Sequence, residues 1–317
     1  HHNVDIVIVG AGLNGLLAAS KFIDTDYDVL ILEQDNILGG SLNSSQKIKT
    51  IDNLDTRAWL KKTEDLIKKS KNIKILKNTL ATSYNQINHI IALEDNSVGK
   101  PLASHKPELI LHKIRTKHTI LSNGHIERLI SFRNNDLPGI MLAGSFEKYI
   151  FRYGVIPEAE PIIFTNNSST FSLLKSLIDL GCKPKAYVDV RDESSIEKKT
   201  KTILETNKIP FYFSSEIEGC DGNKKLETIS IRNKEKQIEK ISGTMLCISG
   251  GINPDVHLFT QSKGLIKWDE KYLTFKPETA FQNTITIGSA NGNFNFKRII
   301  EEINEKLSLF NIKELKI

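Results

Sequence analysis

The stretch VDIVIVGAGLNGLLAAS, residues 4–20, constrains the fold more than any other part of this 317-residue sequence. Its apolar run predicts a strand, and the small residues after the glycines predict a helix. Gly10, Gly12 and Gly15 lie at the junction in the spacing GxGxxG. A strand, a glycine turn and a helix in this order indicate the start of a βαβ unit.

The glycine spacing indicates a site for a pyrophosphate-bridged dinucleotide. The first glycine permits a tight turn, the second lets the pyrophosphate approach the backbone, and the third permits close helix packing. The helix N-terminus then offers free N–H groups to the phosphates. Glu33 closes the next strand 18 residues after Gly15, where a carboxylate accepts hydrogen bonds from a ribose 2′-hydroxyl and repels a 2′-phosphate. We therefore expect NAD or FAD rather than NADP, with the Gly39-Gly40-Ser41 turn near the adenosine end.

A second βαβ unit is predicted from residue 161 onwards, with a strand at 162–165, a helix at 168–180 and a strand at 186–190. Its turn carries Thr165-Asn166-Asn167-Ser168, where a nucleotide site would need glycines. Side chains at those positions crowd a pyrophosphate. We therefore expect this second unit to bind no dinucleotide.

The whole pattern predicts an α/β protein with a two-dinucleotide-binding-domain, FAD/NAD(P)-binding Rossmann-like fold. The first domain is discontinuous, residues 1–135 and 253–317, and the second, residues 136–252, is inserted into it. The Pro138-Gly139 pair predicts a break in the chain, and a hairpin region is predicted at 216–241. The other predicted strands are 4–9, 29–32, 73–76, 89–93, 109–114, 118–122, 244–249 and 284–287, and the other helices 13–23, 57–69, 194–207 and 296–309.

Composition narrows the function classes. The 43 basic and 38 acidic residues are interspersed, so the net charge of +5 gives no nucleic-acid footprint. The three cysteines are far apart, which excludes a CxxC pair and a zinc-ligand spacing, and no metal site is expected. No apolar run is long enough for a membrane span. We expect a soluble, cytoplasmic protein.

Six strings between residues 123 and 292 carry a more specific signal. They are 123–128 (NGHIER), 134–144 (NNDLPGIMLAG), 152–155 (RYGV), 165–168 (TNNS), 249–259 (SGGINPDVHLF) and 288–292 (GSANG). In this order they resemble the TGAHERP, NNDRPGVMLAG, NRYGV, TNND, SGGWNPxVHLF and GAANG patterns of the α subunit of heterotetrameric sarcosine oxidase.

The resemblance implies an oxidoreductase subunit with NAD on the first glycine loop. In this family a β-type flavoprotein subunit holds most of the flavin that oxidises N-methylglycine, one flavin, an FMN, lies at the α/β interface, and further small subunits complete the heterotetramer. The family's aminomethyltransferase-like domain and N-terminal extension are not in this sequence. We therefore assign no folate chemistry to it.

The late turn favours NAD over FAD as the cofactor. Many flavoproteins of this architecture carry Gly-Asp there, with the aspartate on the ribityl chain, whereas this sequence has Gly288-Ser289. FAD stays an alternative because backbone amides also hold flavins. The candidate cofactor-binding residues are Gly10, Gly12, Leu13, Asn14, Gly15, Glu33, Gln34, Gly40, Ser41, Leu42, Ala81, Asn123, Gly124, Gly288 and Ser289.

No catalytic residue is assigned. His125 and Glu127 lie two apart beside a glycine, but without a nucleophile or metal partner they are interpreted as a structural hydrogen-bonding pair. His257 is interpreted as a packed or interface histidine. Arg128 and Arg133 have two interpretations, as ordinary surface arginines or as residues that steer an anionic substrate or the cofactor phosphates.

Two hypotheses of function follow from these expectations. In the first, the chain is the nucleotide-binding α subunit of a sarcosine oxidase-like complex that oxidatively demethylates sarcosine or a related secondary amine on a partner's flavin. In the second, it is a self-contained FAD-dependent amine or amino-acid dehydrogenase. A structural descendant that holds NAD without turnover is a third possibility.

Overall fold

Strands and helices alternate over the residues that this computed structural model describes, 1–98, 107–156 and 160–315. The strands are β1 His2–Val9, β2 Val29–Leu32, β3 Thr50–Ile51, β4 Leu54–Asp55, β5 Ile73–Leu76, β6 Thr79–Asn85, β7 His89–Asp95, β8 Leu109–Leu121, β9 His125–Glu127, β10 Ile140–Leu142, β11 Ile162–Thr165, β12 Ala186–Asp189, β13 Phe211–Tyr212, β14 Glu216–Asp221, β15 Thr228–Arg232, β16 Ile238–Ser242, β17 Leu246–Ser249, β18 Ile252–Pro254, β19 Leu265–Asp269, β20 Thr274–Thr279 and β21 Thr284–Thr286. The helices are α1 Leu13–Ser20, α2 Thr56–Lys69, α3 Ala143–Tyr153, α4 Phe171–Asp179, α5 Lys198–Thr206, α6 His257–Gln261 and α7 Phe296–Leu307.

The chain divides into two compact units. Unit 1 comprises His1–Leu42, Ile48–Ile126 and Asn253–Ile317, and unit 2 comprises Asn43–Lys47 and Glu127–Ile252. The glycine stretch and the late Gly288-Ser289 turn both belong to unit 1. The second βαβ unit belongs to unit 2.

Unit 1 is built on a sheet with the strand order β5-β2-β1-β8-β7-β6, and β21 also pairs with β8. Strand β1 is parallel to both of its neighbours, β2 and β8. Ile6 and Ile8 pack in the core that helices α1, α2 and α7 cover, whereas Val7 and Val9 pack on the opposite face with Tyr84. Burial on both faces explains why β1 is apolar at successive positions.

Unit 2 contains a parallel sheet with the strand order β10-β17-β11-β12-β13. One face packs against helices α3, α4 and α5 through Phe146, Leu174 and Leu204. The other face packs against the antiparallel sheet β14-β15-β16, which contributes Ile217 and Ile229. The strand and helix layers are those of a nucleotide-binding domain.

Most predicted elements of unit 1 are present with small shifts, but one strand prediction was wrong. Segments 109–114 and 118–122 form the single strand β8, because the polar residues between them pair with β1 and β7. Strand β6 was not predicted, since only Thr79 and Tyr84 of its seven residues are buried and apolar Leu80 is exposed. Helix α1 ends at Ser20 rather than at residue 23. Helix α2 buries Trp59, Thr63 and Ile67, whereas the apolar side chain of Leu66 is exposed.

In unit 2 the parallel sheet begins earlier than the sequence suggested. Strand β10 and helix α3 precede β11, so the βαβ pattern starts at Ile140 and not at Pro161. Helix α3 buries Phe146 and Ile150 and ends at Gly154, which has the left-handed φ of +68°. Both the buried spacing and the terminal glycine are helix signals. The Pro138-Gly139 pair masked them by suggesting a longer irregular stretch.

Two glycines of the first turn are required by the packing of the chain itself. An added Cβ at Gly15 would lie 1.9 Å from the Gly10 carbonyl oxygen and 2.7 Å from Ser122 Oγ. Gly10 has φ +94°, and an added Cβ would lie 2.6 Å from the Ser122 carbonyl oxygen. The end of β1 and the start of α1 therefore approach too closely for any side chain.

This packing predicts different costs for two glycine substitutions in one turn. We expect Gly15→Ala to lower the free energy of unfolding by about 3 kcal/mol, because backbone must move to admit the methyl group. Gly12→Ala should cost less than about 1 kcal/mol, since its φ of −70° suits alanine and the nearest atom to the new Cβ is 3.9 Å away. Urea unfolding of both variants measures the difference. Equal losses would contradict the assigned roles.

Candidate functional site

The glycine turn leaves open space beside Gly12. An added Cβ at Gly12 would meet only Gly40 Cα, at 3.9 Å, whereas Gly10 and Gly15 have no room for one. The fold therefore gives a reason for Gly10 and Gly15 but none for Gly12. A glycine at the N-cap of a helix with free space in front of it is the cradle that a phosphate group fills.

The second glycine turn packs against the first, backbone to backbone. The Gly39 N–H donates to the Ala11 carbonyl oxygen at 2.8 Å. Gly40 has φ +52°, and a Cβ there would lie 3.1 Å from Gly12 Cα. The structure thus brings Gly40 to the candidate site, and Ser41 and Leu42 follow it in the 3₁₀ turn Gly40–Asn43.

Glu33 ties the glycine turn to the end of β2. Its Oε2 accepts the Ala11 N–H at 2.7 Å, and its Oε1 accepts the Asp35 N–H at 2.9 Å. Burial raises the pKa of Glu33, and these two backbone hydrogen bonds oppose that shift. An ionised carboxylate has about four acceptor sites, so two remain for a ribose. The sequence predicted only the ribose contact and missed the bond to the turn.

The late turn lies directly against the first turn of α1. Gly288 has φ +62°, and an added Cβ would lie 1.8 Å from Asn14 Nδ2. The Gly288 N–H donates to Glu302 Oε2 at 2.7 Å, and the Asn291 amide also bonds to the Glu302 carboxylate. This N–H is therefore already used inside the protein. Ser289 follows in the same 3₁₀ turn, Gly288–Asn291.

Asn123 and Gly124 follow β8 at the same end of the sheet. The Asn123 side-chain N–H donates to the Asp255 carbonyl oxygen at 2.9 Å, and the Asp255 N–H donates to the Gly124 carbonyl oxygen at 3.1 Å. Gly124 has φ +91° and nothing within 4 Å of an added Cβ. Like Gly12, it faces open space.

Two amide oxygens at this site have no partner within the part of the chain that the structure describes. Asn14 Oδ1 and Asn123 Oδ1 are shielded from solvent and accept no hydrogen bond there. A buried polar atom without a partner costs about 1–3 kcal/mol. Such atoms fit a site whose hydrogen-bond donors come from a bound ligand.

The remaining predicted residues have other surroundings. Leu13 is buried and packs in the core of unit 1, and Gln34 is exposed directly after Glu33. Ala81 lies in β6, two residues after Thr79, whose N–H donates to the Glu33 carbonyl oxygen at 2.8 Å. Ala81 itself packs against the apolar cluster that contains Leu32, the last residue of β2.

Ser122 was not predicted as a site residue. Its Oγ lies 2.9 Å from the Val9 carbonyl oxygen and 2.7 Å from that of Gly10, and it fixes the turn. Glu302 was also missed. A serine at the end of β8 and a glutamate in α7 give no signal in the sequence, because their partners belong to other elements, Val9 and Gly10 for Ser122 and Gly288 and Asn291 for Glu302.

In unit 2 the corresponding turn is filled by its own side chains. The Asn167 side chain accepts the Ser169 N–H at 2.9 Å and donates to the Ser249 carbonyl oxygen at 3.0 Å. Arg191 donates to both carboxylate oxygens of the buried Asp189 and, at 3.0 Å, to Ser168 Oγ. The polar groups that follow β11 and β12 therefore bond to one another.

Glu127 and Glu147 are carboxylates beside helix α3 in unit 2. Glu127 Oε2 accepts the Gly144 N–H at 2.8 Å in the first turn of that helix, which agrees with a structural role. Burial raises the pKa of both side chains, that of Glu147 to about 7. Lys47 opposes the shift of Glu147, and the charge of Glu127 adds to it.

The two histidines considered in the sequence, His125 and His257, are exposed on the surface. His125 is exposed, and its ring contacts Phe294 edge-on with 6.0 Å between ring centroids. His257 bonds Asp255 Oδ1 through Nδ1 at 2.7 Å, with 75% of its side chain exposed. The interpretation of His257 as a packed residue was therefore wrong, and its interpretation as an interface residue stays a prediction.

The raised pKa of Glu147 makes the stability of the protein depend on pH. The unfolded carboxyl ionises near its ordinary 4.5 and the folded one at about 7, so stability falls as pH rises between these values. We expect wild type to lose about 2 kcal/mol of unfolding free energy between pH 5 and pH 8 relative to Glu147→Gln. Urea unfolding at the two pH values tests this. Glu235→Gln, at an exposed position, is the control. The same change of unfolding free energy with pH in all three proteins would refute the raised pKa of Glu147.

The described residues contain neither a cluster of metal ligands nor a helix that could span a membrane. Among residues 1–98, 107–156 and 160–315, no group of three or more histidine, cysteine, aspartate or glutamate side chains is arranged to hold a metal ion. In the same ranges no helix has the length and apolar character needed to cross a membrane.

Similarity to solved structures defines the class of protein. A model described as an NAD(P)-binding Rossmann-like domain matches residues 8–58. Thioredoxin reductase of T. acidophilum superposes with a TM-score of 0.71 and 16% identity, over 98% of this chain and 99% of that one. L-Proline dehydrogenase from P. horikoshii superposes with a TM-score of 0.65 and 18% identity, over 99% of this chain and 57% of that one. The chain has the two-dinucleotide-binding-domain fold that the sequence predicted.

Relatives found by sequence identify a narrower group of proteins than the shared fold does. Sarcosine oxidase subunit alpha of Corynebacterium sp. (strain U-96) is 30% identical over 303 residues, 92% of this chain and 31% of that protein. The same subunit of Rhizobium meliloti (strain 1021) is 29% identical over 288 residues, which are 90% of this chain and 28% of that protein. The chain is thus homologous to a part of these subunits and spans less than a third of their length.

Proposed function

We propose that this chain is the dinucleotide-binding part of a sarcosine oxidase α-like oxidoreductase, with NAD in unit 1. Its complex would oxidatively demethylate sarcosine or a related secondary amine, acting on the CH–NH bond. The homology over 92% of the chain supports the class. The open space at Gly12, which the fold itself does not require, carries the assignment of the site.

Each part of the site has a role in holding NAD. Gly12 and the N-terminus of α1 would receive the pyrophosphate, because free N–H groups and the helix dipole favour negative charge there. The two unused acceptor positions of Glu33 would bind the adenosine ribose. Gly40, Ser41 and Leu42 would border the adenosine end. Bound NAD would supply a nicotinamide ring that exchanges a hydride.

We place the dinucleotide in unit 1 alone. In unit 1 the amide oxygens of Asn14 and Asn123 have no partner among the described residues. In unit 2 Asn167 and Arg191 use the polar groups of the corresponding turn. A ligand entering unit 2 would have to break those hydrogen bonds, whereas one entering unit 1 gains new ones.

The chemistry of amine oxidation would then depend on a partner chain. We propose a β-type flavoprotein subunit for the substrate flavin, an FMN at the shared interface and further small subunits. The absence of a carboxylate in Gly288-Ser289 supports NAD over FAD here, because a ribityl chain would lose that acceptor. A flavin bound by this chain alone would instead make it a self-contained amine dehydrogenase.

The first test identifies the nucleotide that the protein carries. The purified chain is denatured, and the released nucleotide is identified by absorbance and mass. We expect NAD without flavin. Stoichiometric FAD would overturn the NAD assignment and favour a flavoenzyme. If the chain purifies empty, titration with NAD and with FAD decides between the two, and failure to bind either would overturn the site.

The second test concerns the phosphate cradle. We expect Gly12→Ala to weaken the binding of NAD and of ADP by at least about tenfold, because the added methyl group occupies the place of the pyrophosphate. Adenosine, which has no phosphates, should bind wild type and variant equally. Isothermal titration gives the affinities, and the small stability cost of the variant ensures that folded protein is compared. Unchanged ADP affinity would place the phosphates elsewhere.

A further inference from the structure

We infer that Asn14 binds a hydroxyl group on the redox side of the dinucleotide, beyond the pyrophosphate. For NAD this is a hydroxyl of the nicotinamide ribose, and for FAD it would be a ribityl hydroxyl. The inference rests on the proposed function, because it assigns a new contact within the same site. The affinity for the part of the ligand beyond the pyrophosphate would then depend on Asn14.

The position of Asn14 follows from the packing of two turns. Asn14 is the second residue of α1, and its amide lies against Gly288 so closely that an added Cβ there would be 1.8 Å from Nδ2. Gly12, with open space in front of it, is two residues earlier in the same turn. The Asn14 amide therefore borders the late turn, from the same first helical turn that follows Gly12.

The unpartnered oxygen requires a donor from outside the chain. Asn14 Oδ1 is shielded from solvent and bonds to nothing within the described ranges. Two neighbouring donors are already used, since Ser122 Oγ bonds the Val9 and Gly10 carbonyl oxygens and the Gly288 N–H bonds Glu302. A ligand that fills the cradle would supply a donor that these two groups do not.

The chemistry of the donor selects the part of the ligand. Pyrophosphate oxygens are acceptors only, so they cannot bond a carbonyl oxygen. The adenosine ribose is assigned to Glu33 at the end of β2. The hydroxyls on the other side of the pyrophosphate are donors, and the late turn that borders Asn14 carries Ser289 in place of a carboxylate. Asn14 would supply the acceptor that this turn lacks.

The inference is tested with ligands that differ only beyond the pyrophosphate. Affinities of ADP, ADP-ribose and NAD are measured by isothermal titration for wild type, Asn14→Ala and Asn14→Leu. We expect both variants to bind ADP-ribose and NAD about five- to tenfold more weakly, because one hydrogen bond is lost. ADP, which lacks the second ribose, should bind within about twofold of wild type.

Two features of the design separate possible failures. Asn14→Leu keeps the volume of the side chain and removes the unpartnered oxygen, so the unliganded variant should melt no lower than wild type. Asn3→Ala is the amide control, since Asn3 is exposed at the far end of β1. It should leave all three affinities unchanged.

The outcomes are distinct. An equal loss for ADP would mean that Asn14 contacts the phosphates and would overturn the inference, while leaving the proposed site intact. No loss for any ligand would overturn it as well. Wild type that binds none of the three would overturn the proposed NAD site and the inference together. If the chain carries FAD, a loss for FAD without a loss for ADP supports the ribityl contact.

Discussion

The contact between Gly15 and the Gly10 carbonyl is the constraint on which the rest of unit 1 depends. It allows α1 to start directly at the end of β1, so the helix N-terminus points at the edge of the sheet where parallel strands end. Ser122 completes the contact from β8. The space beside Gly12 lies at this helix N-terminus, where the first N–H groups of a helix have no partner inside the helix. The proposed anion site would thus be a consequence of close packing, and the polar residues around it would refine what the site accepts.

Glu33 shows how one side chain serves both fold and site. The desolvation of a carboxylate is unfavourable, and the two backbone N–H groups that it accepts offset this cost. Since one of them belongs to Ala11, the carboxylate holds the glycine turn against β2. Removing the charge would therefore disturb the turn as well as any ribose contact. Preference for NAD over NADP is better measured on the ligand than by substituting this residue.

The sequence reveals the parts of the fold that depend on local patterns. Strand β1, the glycine turn and helix α1 are visible because burial on both faces and close approach each demand a residue type. Helix α3 was missed because Pro138-Gly139 suggested an irregular stretch. Strand β8 was divided because its pairing with β1 and β7 overrides the polar residues at its centre. Contacts between side chains and distant backbone, such as Glu33 with Ala11, leave no local trace.

The two units contrast in how the polar groups of their corresponding turns are satisfied. In unit 2 the turn after β11 is closed by Asn167, and the end of β12 by the buried pair of Asp189 and Arg191. In unit 1 Asn14 and Asn123 each keep an oxygen buried without a partner in the described structure, and each costs about 1–3 kcal/mol. Glu147 Oε1 beside helix α3 is also buried without a partner there, so such atoms alone do not distinguish the units. The difference lies at the turns, where a ligand would gain hydrogen bonds in unit 1 and break existing ones in unit 2.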